Sequence, residues 1–232
     1  MNTHGNEPPV EQPEHFEFTS ENMERVQVHL AKYPQGRQWS AVLPLLDLAQ
    51  RQSGGWLPVA AMNHVADLLK MPRIRVYEVA TFYTMFNLRP VGRWLLQVCT
   101  TTPCWLRGSD EVVAACERKL GIGMAETTPD GLFTMVEVEC LGACVNAPIL
   151  QVNDDYYEDL DGPKTEALLD ALHDGRPPPF GSLSGRRGSA PEGGKTTLIE
   201  EPEPPPLQAA LTEPPEPQAA GAGEAGEKSD AG

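Results

Sequence analysis

The sequence predicts an α+β protein: an N-terminal helical bundle or arm, then a small α/β domain on a short mixed sheet, then a disordered C-terminal tail. Three observations predict it. Apolar residues recur at helical spacing between residues 19 and 88. Past Pro90, short apolar or alternating runs are interleaved with two helical stretches. From Arg176 onward, large apolar residues nearly vanish among Pro, Gly, Glu and Ala.

The helical part holds four elements. Thr19 or Ser20 caps a first helix with apolar positions at Met23, Val26 and Leu30. "YPQGRQWS" ends it, and "SAVLPLLDLAQRQ" forms a second helix that stops at "SGG"; Pro44 falls near its first turn, where a missing amide is tolerated. "LPVAAMNHVADLLK" is the third, with Ala61, Val65, Leu68 and Leu69 on one face, and Pro72 opens the fourth in "MPRIRVYEVATFYTMF". Short helices with brief connections suit a bundle. The aromatic stretch at 82–86, "FYTMF", is weighed first as core, with a junction to a partner as the competing use.

The second part reads strand, helix, strand, strand, strand, helix. "RWLLQVC" (93–99) is a buried strand ending on a cysteine, and "SDEVVAACERKLG" (109–121) is a helix capped by Ser109 and stopped by Gly121. "LFTMVEVEC" (132–140) alternates as a strand, "PILQVND" and "DYYEDL" form a hairpin through a tight turn at Asn153–Asp155, and "GPKTEALLDALHDG" closes the domain as a helix. The expected divisions are a flexible leader 1–18, a helical region 19–90, the α/β domain 91–175 and a disordered tail 176–232, whose deletion from 181 should leave the site intact.

Net charge is −15, which disfavours nucleic acid and anionic membranes as partners, and no apolar run reaches the roughly 18–20 residues of a membrane span. The leader is acidic and lacks Arg and Lys, unlike a secretory or transit peptide, so a reducing cytoplasm is expected. No Rossmann glycine motif follows a strand; "GGKTT" at 193–197 sits in the tail without one, so nucleotide binding by this chain is not expected.

The chemistry rests on cysteine. "CTTTPC" supplies Cys99 and Cys104, spaced C-x4-C, and "CLGAC" supplies Cys140 and Cys144, spaced C-x3-C. Each pair follows a strand, so both loops can emerge at one sheet edge. In a reducing compartment such pairs read as metal or redox sites before structural disulfides. Neither has the C-x-x-C spacing of a thiol oxidoreductase. Structural zinc and an iron–sulfur cluster both take four thiolates, and a 2Fe–2S unit uses two on each iron. Thr100, Thr101, Pro103, Gly142 and Ala143 are small enough to let amides approach the sulfurs. Cys116, in mid-helix, reads as core, and the five histidines share no ligand spacing.

At these residues the chain resembles a known family. "CTTTPCWLRGSDEV", "VECLGACVNAPILQVNDDYYEDL" and "VYEVATFYTMFNLRPVG" are similar to the E subunit of the proton-pumping NADH:quinone oxidoreductase, respiratory complex I, over about residues 18–175. The resemblance implies a thioredoxin-like domain carrying one 2Fe–2S cluster on Cys99, Cys104, Cys140 and Cys144. It implies an electron-transfer subunit without a complete active site of its own. FMN and NAD are then expected on a flavoprotein partner, which also carries a 4Fe–4S cluster, with the large iron–sulfur subunit of the same complex as a second partner. It also implies one-electron exchange with that FMN, off the main electron path, and a peripheral position on the cytoplasmic side of the bacterial inner membrane. The equivalent subunits of NAD-dependent formate dehydrogenases and NAD-reducing hydrogenases, and a structural zinc-binding module, stand as alternatives.

Overall fold

A computed structural model of the chain describes residues 10–191, 193, 194, 196 and 197. Residues 1–189 form one unit and 190–232 another. In the second, Gly194 N–H donates to the Pro191 carbonyl at 3.0 Å.

Four helices open the first unit: α1 (Ser20–Ala31), α2 (Val42–Gln52, entered through a 3-10 turn at Gln38–Ala41), α3 (Val59–Leu69) and α4 (Arg73–Phe82). Their starts follow local chemistry. Thr19 caps α1, its hydroxyl accepting from the Asn22 amide. Pro58 and Pro72 are the N-caps of α3 and α4. One apolar core, with Leu45, Leu46, Val65 and Val76 fully enclosed, holds the four helices together.

The leader expected to be flexible is partly fastened to this core. Phe18 is buried, and Phe16 and Phe18 both meet His64 edge-on, with ring centroids 5.6 and 5.4 Å away. Two aromatic rings supply enough apolar area to offset the cost of ordering the segment around them. Residues 1–9 lie outside the described residues.

The α/β domain follows. It holds β1 (Trp94–Cys99), α5 (Thr102–Leu106), α6 (Ser109–Leu120), β2 (Glu126–Thr127), β3 (Phe133–Val138), β4 (Leu150–Val152), β5 (Asp155–Glu158), α7 (Gly162–His173) and β6 (Gly181–Ser182). The sheet order is β2-β3-β1-β4-β5-β6. β1 runs parallel to β3 and antiparallel to β4. β4 and β5 form the expected hairpin, with Asn153 at a positive φ of 53°, a conformation Asn tolerates. Helices α6 and α7 pack side by side on the sheet over a second core that includes Leu96, Val98, Met135, Leu150 and Leu168. Cys116 lies fully enclosed in it, where burial above all pushes its thiol up to about 12.

Two sequence expectations change. Ser109 does not cap α6: it lies inside the helix, Gly108 takes the cap position at φ 99°, and the enclosed Ser109 hydroxyl has no hydrogen-bond partner. The domain also continues beyond 175. β6 adds to the sheet edge beside β5, and residues 182–188 hydrogen-bond onto the domain, so the low-complexity composition from 176 conceals an ordered stretch. Composition averages over the window, while pairing with an open strand edge needs only backbone groups and a few side chains. The part of the expected disorder that covers 198–232 lies outside the described residues.

Candidate metal centre

Because β1 and β3 are parallel neighbours, their C-terminal ends lie at the same sheet edge. Cys99 sits opposite Val138 in the register, two residues before Cys140. That single pairing brings both cysteine loops together.

Cys99 ends β1 with its N–H donating to the Ile149 carbonyl at 3.2 Å. Thr101 then caps the short helix α5, Pro103 lies in its first turn, and Cys104 in its middle is fully enclosed. Beyond β3, Cys140 is exposed, Gly142 takes a φ of 82°, and Cys144 opens a 3-10 turn, Cys144–Asn146. Cys99, Cys104, Ala147 and Ile149 form a small third core against Leu141, Ala143 and Tyr156.

The thiols sit in pairs. Cys140 Sγ and Cys144 Sγ are 3.2 Å apart, and Cys99 and Cys104 lie together in that small core. Cys99 Sγ also lies 3.2 Å from the Thr101 hydroxyl. Burial opposes a thiolate at Cys99, but Thr101, through its hydroxyl and amide, then Cys104 and the Leu141 amide outweigh it and its pKa falls below the ordinary thiol value. Burial, then the bond to Cys99, pushes Cys104 up to about 12 against the pull of the Ile149 amide. Cys140 is lowered by its hydrogen bond with Cys144 and by the Gly142 amide, and Cys144 is raised by the same hydrogen bond and by burial. The charge on Cys99 is felt at both Cys140 and Cys144, so the two pairs form one electrostatic site.

The structure therefore places the two loops that carry the four thiols singled out by the sequence side by side, at the C-terminal ends of β1 and β3. Sequence reasoning missed the donors around them. The Leu141 and Ile149 amides carry no side-chain signature, and the Tyr156 hydroxyl, which holds the Leu141 carbonyl at 3.0 Å, comes from a different strand. The aromatic stretch weighed first as core is mostly exposed: Phe86 is buried, but Phe82 is 77 % exposed, and Tyr83 and Met85 also face outward.

The donor set suits an iron–sulfur cluster. It is all sulfur, half of it enclosed, with hydroxyl and amide donors on the sulfurs. Among the described residues, no three His, Cys, Asp or Glu side chains converge as ligands of one metal ion.

A thioredoxin-type sheet with four paired thiols at one strand edge defines the class: a small iron–sulfur protein rather than a thiol oxidoreductase. The family model described as "Thioredoxin-like [2Fe-2S] ferredoxin" matches residues 26–173, and the chain belongs to that family. Similar proteins include the E subunit of NADH-quinone oxidoreductase from Rickettsia bellii, 60% identical over 157 residues, 68% of this chain and 94% of that protein. NADH dehydrogenase [ubiquinone] flavoprotein 2, mitochondrial, of Dictyostelium discoideum is 52% identical over 187 residues, 81% of this chain and 76% of its own. In fold, the chain is like the crystal structure of an NAD+-reducing [NiFe]-hydrogenase in the air-oxidized state. There the TM-score is 0.51 at 20% identity, over 57% of this chain and 23% of that one.

Proposed function

We propose that the chain is the E subunit of an NADH:quinone oxidoreductase, with Cys99 and Cys104 holding one iron of its 2Fe–2S cluster and Cys140 and Cys144 the other. The observation that carries this reading is the meeting of the two cysteine loops at the C-terminal ends of the parallel strands β1 and β3, in a chain 60% identical over 157 residues to a protein of that name. The likeness to a hydrogenase is one of fold alone, so the oxidoreductase is favoured over the hydrogenase-type assemblies.

When bound, the cluster supplies reversible one-electron transfer, here with the FMN of a flavoprotein subunit that binds NADH. The residues of this chain do the rest. The small core around Cys99 and Cys104 keeps water from one side, and the Thr101, Leu141, Gly142 and Ile149 donors offset negative charge on the sulfurs. No acid–base group is required of it. Leu106, 71 % exposed, together with the exposed Trp105 and Val145, flanks Cys104 and Cys144 with apolar surface, a fit for docking on that flavoprotein. The large iron–sulfur subunit is the second partner. Among the described residues no helix is long and apolar enough to cross a membrane, which suits a peripheral subunit on the cytoplasmic side of the bacterial inner membrane.

The test is iron and acid-labile sulfide on anaerobically purified protein, with an electron paramagnetic resonance spectrum after dithionite. Equal iron and sulfide and a rhombic or near-axial signal are expected, and Cys140→Ser should bleach or severely weaken the cluster. An unchanged visible spectrum and iron content in that variant would refute the ligand assignment. Freeze-quenched spectra with NADH test the flavin step: the signal should appear only when the flavoprotein subunit is added.

A further inference from the structure

The stretch from Gly181 to Gly188 returns to the domain and crosses to the second cysteine loop. β6 pairs with β5, and the Leu183 N–H donates to the Glu158 carbonyl at 3.0 Å. Beyond it, Arg186 grips Asp159. Its Nε donates to Oδ2 at 2.9 Å and its Nη2 donates to Oδ1. The two side chains are only 11 % and 7 % exposed, so each charge is nearly out of water and relies on the other. The Ser182 and Ser184 hydroxyls also donate to Asp159 Oδ2, at 2.5 and 3.1 Å.

The same assembly holds the turn that carries Cys144. Arg186 Nη2 donates to the Val145 carbonyl at 3.3 Å. The Asp159 N–H donates to the Asn146 carbonyl at 2.8 Å. Asn146 is 3 % exposed, and its Nδ2 donates to Glu158 at 2.6 Å and to the Gly188 carbonyl at 2.9 Å. Both carbonyls after Cys144, and the next buried side chain, therefore end on residues 181–188 or on their anchor. Cys140 is exposed and Cys144 half-buried, whereas Cys99 and Cys104 are locked in a core.

We propose that Arg186, seated on Asp159, is a positioning residue for Cys144, and that residues 181–188 act as a strap that keeps the Cys140–Cys144 pair in place for the cluster. This rests on the reading of those cysteines as ligands. It also moves the boundary of the dispensable tail: deletion from residue 181, expected from composition to be harmless, removes the strap, while deletion from residue 190 spares it.

The experiment uses the full chain with its cluster and follows loss of visible absorbance to an excess of iron chelator, beside the electron paramagnetic resonance spectrum of the reduced protein. Arg186→Gln and a chain ending at Phe180 should lose the cluster about 10-fold faster or more, the effect typical of removing a partner behind a metal ligand, with a changed line shape. A chain ending at Ser189 should match the full chain. Arg186→Lys keeps the charge without the fork and should fall between. Leu168→Ala, in the core beneath the sheet, controls for general loss of stability. Cluster loss in the Arg186→Gln protein should exceed that of the Leu168→Ala protein at matched melting temperature. If Arg186→Gln does not fold, the Ser189 and Phe180 truncations and Arg186→Lys still decide the matter. Equal chelation rates and identical spectra across those chains would overturn the proposal. Failure of the ligand reading is separate: Cys144→Ser would then keep its cluster.

Discussion

The Thr101 hydroxyl lies 3.2 Å from Cys99 Sγ, and a cluster-bound thiolate can only accept from it; a donor on a ligand sulfur favours the more negative, reduced state of a cluster. Thr101→Val should therefore lower the midpoint potential. A hydrogen bond worth about 1 kcal/mol corresponds to about 40 mV for a one-electron couple. Redox titration of the two proteins checks it; an unchanged or raised potential would contradict the role given to the hydroxyl. Gly142 is a second residue-scale requirement. It holds a left-handed φ of 82° with nothing close to where a Cβ would stand, so the constraint is on backbone conformation rather than space.

Space is the constraint at the entry to β1. A Cβ on Gly92 would lie 2.7 Å from the Phe133 carbonyl carbon, which is backbone of the paired strand and cannot swing away. The Gly92 amide also donates to the buried Thr134 hydroxyl at 2.6 Å. Gly92→Ala should cost about 1–3 kcal/mol, the usual range for overpacking, read as a lowered denaturant midpoint. The strap gives another element-scale expectation. Burial raises the Asp159 carboxyl, but Arg186, Ser182 and Ser184 prevail and hold it below the usual carboxylate range. A depressed folded value means that its stabilisation is complete above the unfolded carboxyl value of about 3.9 and is lost as pH falls through the lower folded value. The gap in unfolding midpoint between the natural chain and Asp159→Asn should be widest near neutral pH and shrink as pH drops below about 4. A gap that widened on acidification would reverse the sign assigned to the pair.

On the scale of the whole first unit, a helical core and a sheet core are joined by the short linker 83–93 and a few polar ties. Gln50, buried in α2, holds that linker by donating to the Met85 carbonyl and accepting from the Asn87 amide. Arg51 reaches across to Asp154 in the β4–β5 turn, at 2.7 and 3.1 Å. That pair is largely exposed, so Arg51→Ala should change stability by about 1 kcal/mol or less, and by less still in high salt. Thermal melts at two ionic strengths measure it. Loss of several kcal/mol would mean that the two cores depend on this ion pair far more than its exposure allows.

Much was legible in order along the chain, because periodicity, prolines and glycines act locally. The four helices, Gly121 as a helix stop, the β4–β5 hairpin and the role of Cys116 in the core are all readable from neighbours within a few residues. The two cysteine pairs were legible as chemistry because thiol spacing after a strand is a local pattern too. The parallel register of β1 with β3, which turns two pairs into one site, was decided only in three dimensions, as were the cis Ala147–Pro148 bond and the outward aromatics at 82–85. So was the strap. Arg186 lies 27 residues beyond Asp159, in a stretch whose composition argues for disorder, and finds its partner only on the folded surface of the domain. Sequence determined which residues could bind metal and where the helices and the hairpin fall. Tertiary structure decided which of them meet, because a buried charge or an open strand edge is satisfied by proximity in space, to which local pattern is blind.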